Sequence, residues 1–93
     1  MTKAEFLAEM VFAIKGRGPV VGGQLVSGGF EVGDELCSLP GPRFRITGIE
    51  TGRKVSSPTG EFVGLLLWAS EPENVKSAIE PGQRLQIQSP ESH

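Results

Sequence analysis

Apolar and polar residues alternate along most of this chain, which is the two-residue period of strands rather than the 3.6-residue period of helices. Met10, Phe12 and Ile14 alternate with Val11, Ala13 and Lys15. Gly16-Arg17-Gly18 then breaks the run, and two glycines supply the backbone angles that a sharp corner needs. Pro19 lacks an amide donor and suits the entry to a second strand over 20–26. Ser27-Gly28-Gly29 and Val32-Gly33-Asp34 mark two more reversals, and Glu35-Leu36-Cys37 resumes a strand before Pro40-Gly41-Pro42 interrupts it.

The segment 43–49 alternates cleanly, with Phe44 and Ile46 predicted inward and Arg43, Arg45 and Thr47 toward water. A Ser/Pro/Gly loop is expected over 54–60. Residues 62–69 are apolar at both parities, so they form either a central strand covered on both sides or a strand with a sticky exposed face. A short helical turn is expected near 73–79, with acids at its start and Pro81 beyond its end. The segment 83–88 closes as a strand with Leu85 and Ile87 inward. Short strands at regular spacing predict an all-β fold, a small closed antiparallel β-barrel, whose closure hides its sheet edges. The expected division is an N-terminal extension over 1–8, one barrel domain over 9–89 and a flexible tail over 90–93.

Composition narrows the class of function. Ninety-three residues with 38% apolar and 22% charged side chains suit one ordinary globular domain, and 13 glycines with 7 prolines suit many reversals. Nine basic against eleven acidic residues leave a net charge of −2, which opposes a general grip on nucleic acid because phosphate neutralisation supplies most of that affinity. Cys37 is alone, so no intrachain disulfide forms, and a buried thiol is expected. Lys3 and Glu5 interrupt the N-terminus where a signal peptide needs an apolar stretch, and the run 63–69 is far short of the roughly 20 residues of a membrane span. A soluble, cytoplasmic protein without membrane contact is the expectation.

Little here points to catalysis. The one histidine, His93, lies at the C-terminus, away from any triad, metal site or proton relay inside the fold. Gly16-Arg17-Gly18 lacks the Lys-Ser/Thr of a phosphate-binding loop, so it is read as a turn and no nucleotide is expected. Asp34-Glu35 and Glu71/Glu73 are close in sequence, but their spacing does not specify an acid–base pair. A non-enzyme without metal or cofactor is expected.

Five motifs in order carry a resemblance. They are Phe12-x-Ile14-x-Gly16-Arg17-Gly18-x-Val20-Val21-x-Gly23; Gly28 with Val32-Gly33-Asp34-Glu35-Leu36; Thr47-Gly48-Ile49-Glu50 with Arg53-Lys54; Gly60-Glu61-x-Val63-Gly64-Leu65-Leu66-Leu67; and Ile79-Glu80-Pro81-Gly82-Gln83-x-Leu85. Together they resemble domain 2 of elongation factor Tu and related translational GTPases over roughly residues 9–87, without the GTPase domain. The resemblance implies a small antiparallel barrel. In elongation factor Tu this domain helps hold the acceptor end of aminoacyl-tRNA, in a pocket lined by a glutamate and an arginine that match Glu50 and Arg53. Glu9 matches a family acid near the aminoacyl site. The chain departs from the family at Met10 (an acid there), Gln24 (an arginine), Gly52 (an aromatic), Phe62 (a polar residue) and Trp68 (an arginine). The family pocket also lies between two domains, and this chain lacks the second wall.

Two functions follow. The first is a non-catalytic protein-interaction module linked to translation, its partner a component of the translation machinery or a regulator of it. Trp68 and Phe62 are its candidate anchors, provided that Trp68 is exposed rather than packed over the barrel end. The second is an RNA-binding module for tRNA acceptor ends or other single-stranded termini, using Glu50, Arg53, Lys54, Arg17 and Glu9. Arg17 has an alternative role, an ion pair with Glu50 or Glu61. Arg43, Arg45, Arg53 and Lys54 form either one basic stripe or, for Arg43 and Arg45, a solvated strand face. A third reading, one domain of a longer factor, fits less well with Met1 and the Ser89-to-His93 tail, so a stand-alone chain is expected. The charge balance and the missing wall favour the first function.

Overall fold

The computed structural model describes residues 2–38, 41–50, 54–55, 62–68 and 72–90. Its elements are β1 (Thr2–Ile14), β2 (Gly18–Gly28), β3 (Phe30–Glu31), β4 (Glu35–Cys37), β5 (Arg43–Ile49), β6 (Lys54–Val55), β7 (Val63–Leu67), α1 (Pro72–Ala78) and β8 (Arg84–Gln88). Six strands close into a barrel in the order β1-β2-β7-β5-β4-β8, and β3 pairs with β6 in a separate two-stranded sheet. All pairings are antiparallel. The expected closed antiparallel barrel is therefore the observed architecture.

The corner between β1 and β2 forms as its glycines predict. Gly16 and Gly18 have φ of 84° and 104°, and the Arg17 N–H donates to the Ile14 carbonyl at 2.9 Å. Inward positions then follow strand parity. Phe44 and Ile46 on β5, Val63, Leu65 and Leu67 on β7, and Leu85 and Ile87 on β8 are all buried in one core. Val75 and Ile79, from α1 and just after it, join the same core, and the Ser38 hydroxyl donates to the Ala78 carbonyl at 2.8 Å to hold the helix end. Removing a Leu or Ile side chain from water contributes about 1.5–3 kcal/mol. A barrel lined on every strand by such residues thus holds together without staples.

Two expectations need correction. The segment 1–8 is no extension, because residues 2–8 are the first half of β1. Ala4, Phe6 and Ala8 alternate into the core, and this half of the strand pairs with both β2 and β8. The expected loop over 54–60 begins instead with β6, where Lys54 and Val55 pair with Glu31 and Phe30; residues 56–60 lie outside the described set. The helix, expected over 73–79, spans Pro72–Ala78. Among the described residues no helix is long and apolar enough to cross a membrane.

Candidate functional site

Strand β7 organises the candidate surface. It lies between β2 and β5, so both its edges are paired, and its odd-numbered residues point into the core. The even-numbered positions 62, 64, 66 and 68 therefore face out of the barrel. Phe62 and Trp68 stand at the two ends of this outward row and are 46% and 65% exposed. The apolar segment divides between the two alternatives: within β7 Gly64 is buried and Leu66 only partly exposed, and the exposed apolar groups are those that flank the strand, Phe62 and Trp68. Trp68 is not packed over the barrel end.

The strand register extends the apolar face sideways. Met10, Gly22 and Gly64 lie in one row across β1, β2 and β7, and Phe12, Val20 and Leu66 lie in the next. A Cβ on Gly22 would collide with the ring of Phe62 and sit 3.2 Å from Cγ of Met10, so the glycine is a floor on which both side chains rest. Met10 is 46% exposed and belongs to this patch. Sequence reasoning marked Met10 only as a departure from a family acid. Its signal was there, because Met10 and Phe62 both replace polar family residues with apolar ones.

Arg17 and Glu50, two of the RNA-binding candidates, line one hollow of about 250 Å³ together with Ile14, Gly48, Ile49 and Leu66. The Glu50 N–H donates to the Gly64 carbonyl at 3.0 Å, and its carboxylate lies where a side chain at residue 64 would stand, with Cδ 2.6 Å from that Cβ position. No ion pair joins Arg17 to Glu50, so that expected pairing is not made; Glu61 lies outside the described residues. Glu9 is exposed beside the irregularity of β1 between Ala8 and Met10. Arg53 lies outside the described residues. Lys54 is placed by its backbone alone, on β6 opposite Glu31.

A second, larger hollow opens where Trp68 meets β4 and β5. Glu35, Arg43, Arg45, Thr47 and Trp68 line a groove of about 570 Å³. Arg43, Arg45 and Thr47 are the outward positions of β5, as their alternation predicts. Trp68 joins them because its N–H donates to the Arg45 carbonyl at 2.9 Å, continuing the β5–β7 ladder past Leu67. Glu35 comes from β4 and lies 3.7 Å from Nη1 of Arg43. Its Oε1 is buried, and at that separation it is neutralised by charge rather than held by a short hydrogen bond. Cys37, the next outward position on β4, is fully buried, and burial pushes its thiol pKa up. Among the described residues no cluster of His, Cys, Asp or Glu is placed to hold a metal ion.

No protein-family model matches the chain. Its structure is similar to part of the bacterial selenocysteine-specific elongation factor EF-Sec, with a TM-score of 0.69 and 23% sequence identity. The match covers 96% of this chain and 15% of the elongation factor, so the chain spans a small fraction of that protein's length. The chain has the closed β-barrel fold of a translation elongation factor domain, of the kind expected from its resemblance to domain 2 of elongation factor Tu.

Proposed function

We propose that this chain is a non-catalytic binding module associated with translation, and that it works by protein contact through the outward face of β7. The observation that carries the reading is the exposure of Trp68 and Phe62 at the two ends of one outward row of a closed barrel. Closure satisfies the backbone of β7, so nothing in the fold itself requires large apolar groups there. Water-exposed apolar clusters mark contact surfaces, and tryptophan is enriched among the residues that carry binding energy. The likeness to an elongation-factor domain supports a partner within the translation machinery, or a regulator of it.

A second reading, RNA binding, is favoured by one observation: Arg17 and Glu50 line one hollow. A guanidinium and a carboxylate side by side suit a base and a sugar hydroxyl. The net charge of −2 weighs against it. Affinity capture from a lysate of the source organism, with and without nuclease, separates the two. A discrete protein retained after nuclease supports the first reading. Recovery of tRNA that nuclease abolishes overturns it in favour of the second.

A further inference from the structure

We propose that the groove beside Trp68 receives an acidic segment of the partner, with a carboxylate paired to Arg45 and an apolar side chain laid against the indole. The proposal rests on the protein-contact reading above and names the chemistry of that partner.

Charge complementarity is the argument. Among the described residues, two guanidinium groups and one carboxylate line the groove, on a chain whose net charge is −2. The carboxylate is already committed: Glu35 faces Arg43 at 3.7 Å, and its side chain is only 19% exposed. Arg45 stands opposite Glu35 in the β4–β5 register, is exposed, and has no ion pair among the described residues. Among the described residues, the groove therefore presents Arg45 as an uncommitted positive charge beside an exposed indole.

The geometry fits a carboxylate followed by an apolar group. The hydrogen bond from Trp68 to the Arg45 carbonyl fixes the two residues side by side, so a ligand touching one reaches the other. A planar guanidinium can take a carboxylate through two parallel N–H donors. The Thr47 hydroxyl adds a polar group on the same strand face. A basic segment would meet Arg43 and Arg45 and be repelled, which gives the groove selectivity as well as attraction. Single-stranded nucleic acid is also anionic, but its binding grooves track several phosphates past successive aromatic rings. This groove offers one ring.

Trp68 is the only tryptophan and the chain has no tyrosine, so intrinsic emission reports on this groove alone. The wild-type protein is titrated with short capped peptides of alternating Glu and Leu, Gln and Leu, or Lys and Leu, and with a uridine oligonucleotide of equal length. The expected result is a saturable blue shift with the Glu peptide, weakened by salt, with about tenfold lower affinity for the Gln peptide and no shift with the Lys peptide. Arg45→Gln keeps the stem of the side chain and lowers affinity for the Glu peptide about tenfold. Equal binding of the Gln or Lys peptide, no saturable change with the Glu peptide, or tighter binding of the oligonucleotide overturns the proposal. Partner capture separates this failure from that of the wider reading. A captured protein lost with Trp68→Ala but unaffected by Arg45→Gln sinks the acidic segment and leaves protein contact standing. Nuclease-sensitive RNA in place of protein sinks both.

Discussion

The ring of Phe62 lies across Gly22, in the space that any side chain at residue 22 would occupy. The neighbouring Gly23 is enclosed differently, since its missing side chain would strike the backbone carbonyl of Leu7. A phenyl ring at the surface can swing aside, whereas a paired strand cannot. Gly22→Ala is therefore expected to destabilise by only about 1 kcal/mol, and by less in a Phe62→Ala background, while Gly23→Ala costs about 3 kcal/mol or more. Urea unfolding of the three variants and the double variant checks both figures.

Asp34 is buried at the start of β4, and one of its oxygens, Oδ2, accepts from Lys3 Nζ at 2.7 Å and from the Glu31 N–H at 3.0 Å. Asp34→Ala leaves that part-buried N–H without its acceptor, and a loss of about 1–2 kcal/mol is expected. Lys3 is about one-third exposed, so water replaces much of its contact, and Lys3→Ala is expected to cost about 1 kcal/mol or less. Equal losses for the two variants in thermal unfolding would show that the ion pair, not the turn, is what Asp34 supports.

Phe6 on β1 meets Phe30 on β3 edge to face, with centroids 6.4 Å apart and planes at 83°. Through this contact the small β3–β6 sheet is tied to the barrel core. Phe30→Ala is expected to cost about 3–5 kcal/mol. Hydrogen exchange should then show faster loss of protection at Glu31 and Val55 than at β7.

Cys37 has its thiol pKa raised by burial, so the thiolate is disfavoured in the folded protein relative to the unfolded chain. The native thiol is expected to react slowly with an aromatic disulfide near pH 8, and rapidly once urea unfolds the barrel. The sign of the linkage follows. Above the unfolded-state pKa the unfolded chain releases a proton that the folded one retains, so stability falls as pH rises through that range. Cys37→Ala should remove that part of the alkaline decline, as measured by unfolding at several pH values.

Much of the fold was legible because alternation is a local signal. Phe44 and Ile46 against Arg43 and Arg45, or Leu85 and Ile87 against their glutamine neighbours, declare their faces without knowledge of any partner strand. The first half of β1 was hidden because Ala4 and Ala8 are too small to stand out between Lys3, Glu5 and Glu9. Strand β6 was hidden because two residues carry no period. The site was less legible for the same physical reason. A segment apolar at both parities has no face of its own, so the exposure of Trp68 was decided by which strands flank β7. Glu35 joins the groove only through the β4–β5 register, which no local pattern encodes.

The central claim is that the outward face of β7 is a protein interface. The most direct measurement is capture from lysate with and without nuclease, run in parallel with the wild-type chain, Trp68→Ala, Phe62→Ala and Arg53→Ala. Loss of a central aromatic anchor removes about 2 kcal/mol or more of binding energy, roughly a thirtyfold weakening. The account predicts a discrete protein that is retained by wild type and Arg53→Ala and is lost from Trp68→Ala. Capture unchanged by Trp68→Ala, or recovery of RNA that depends on Arg53, would contradict it.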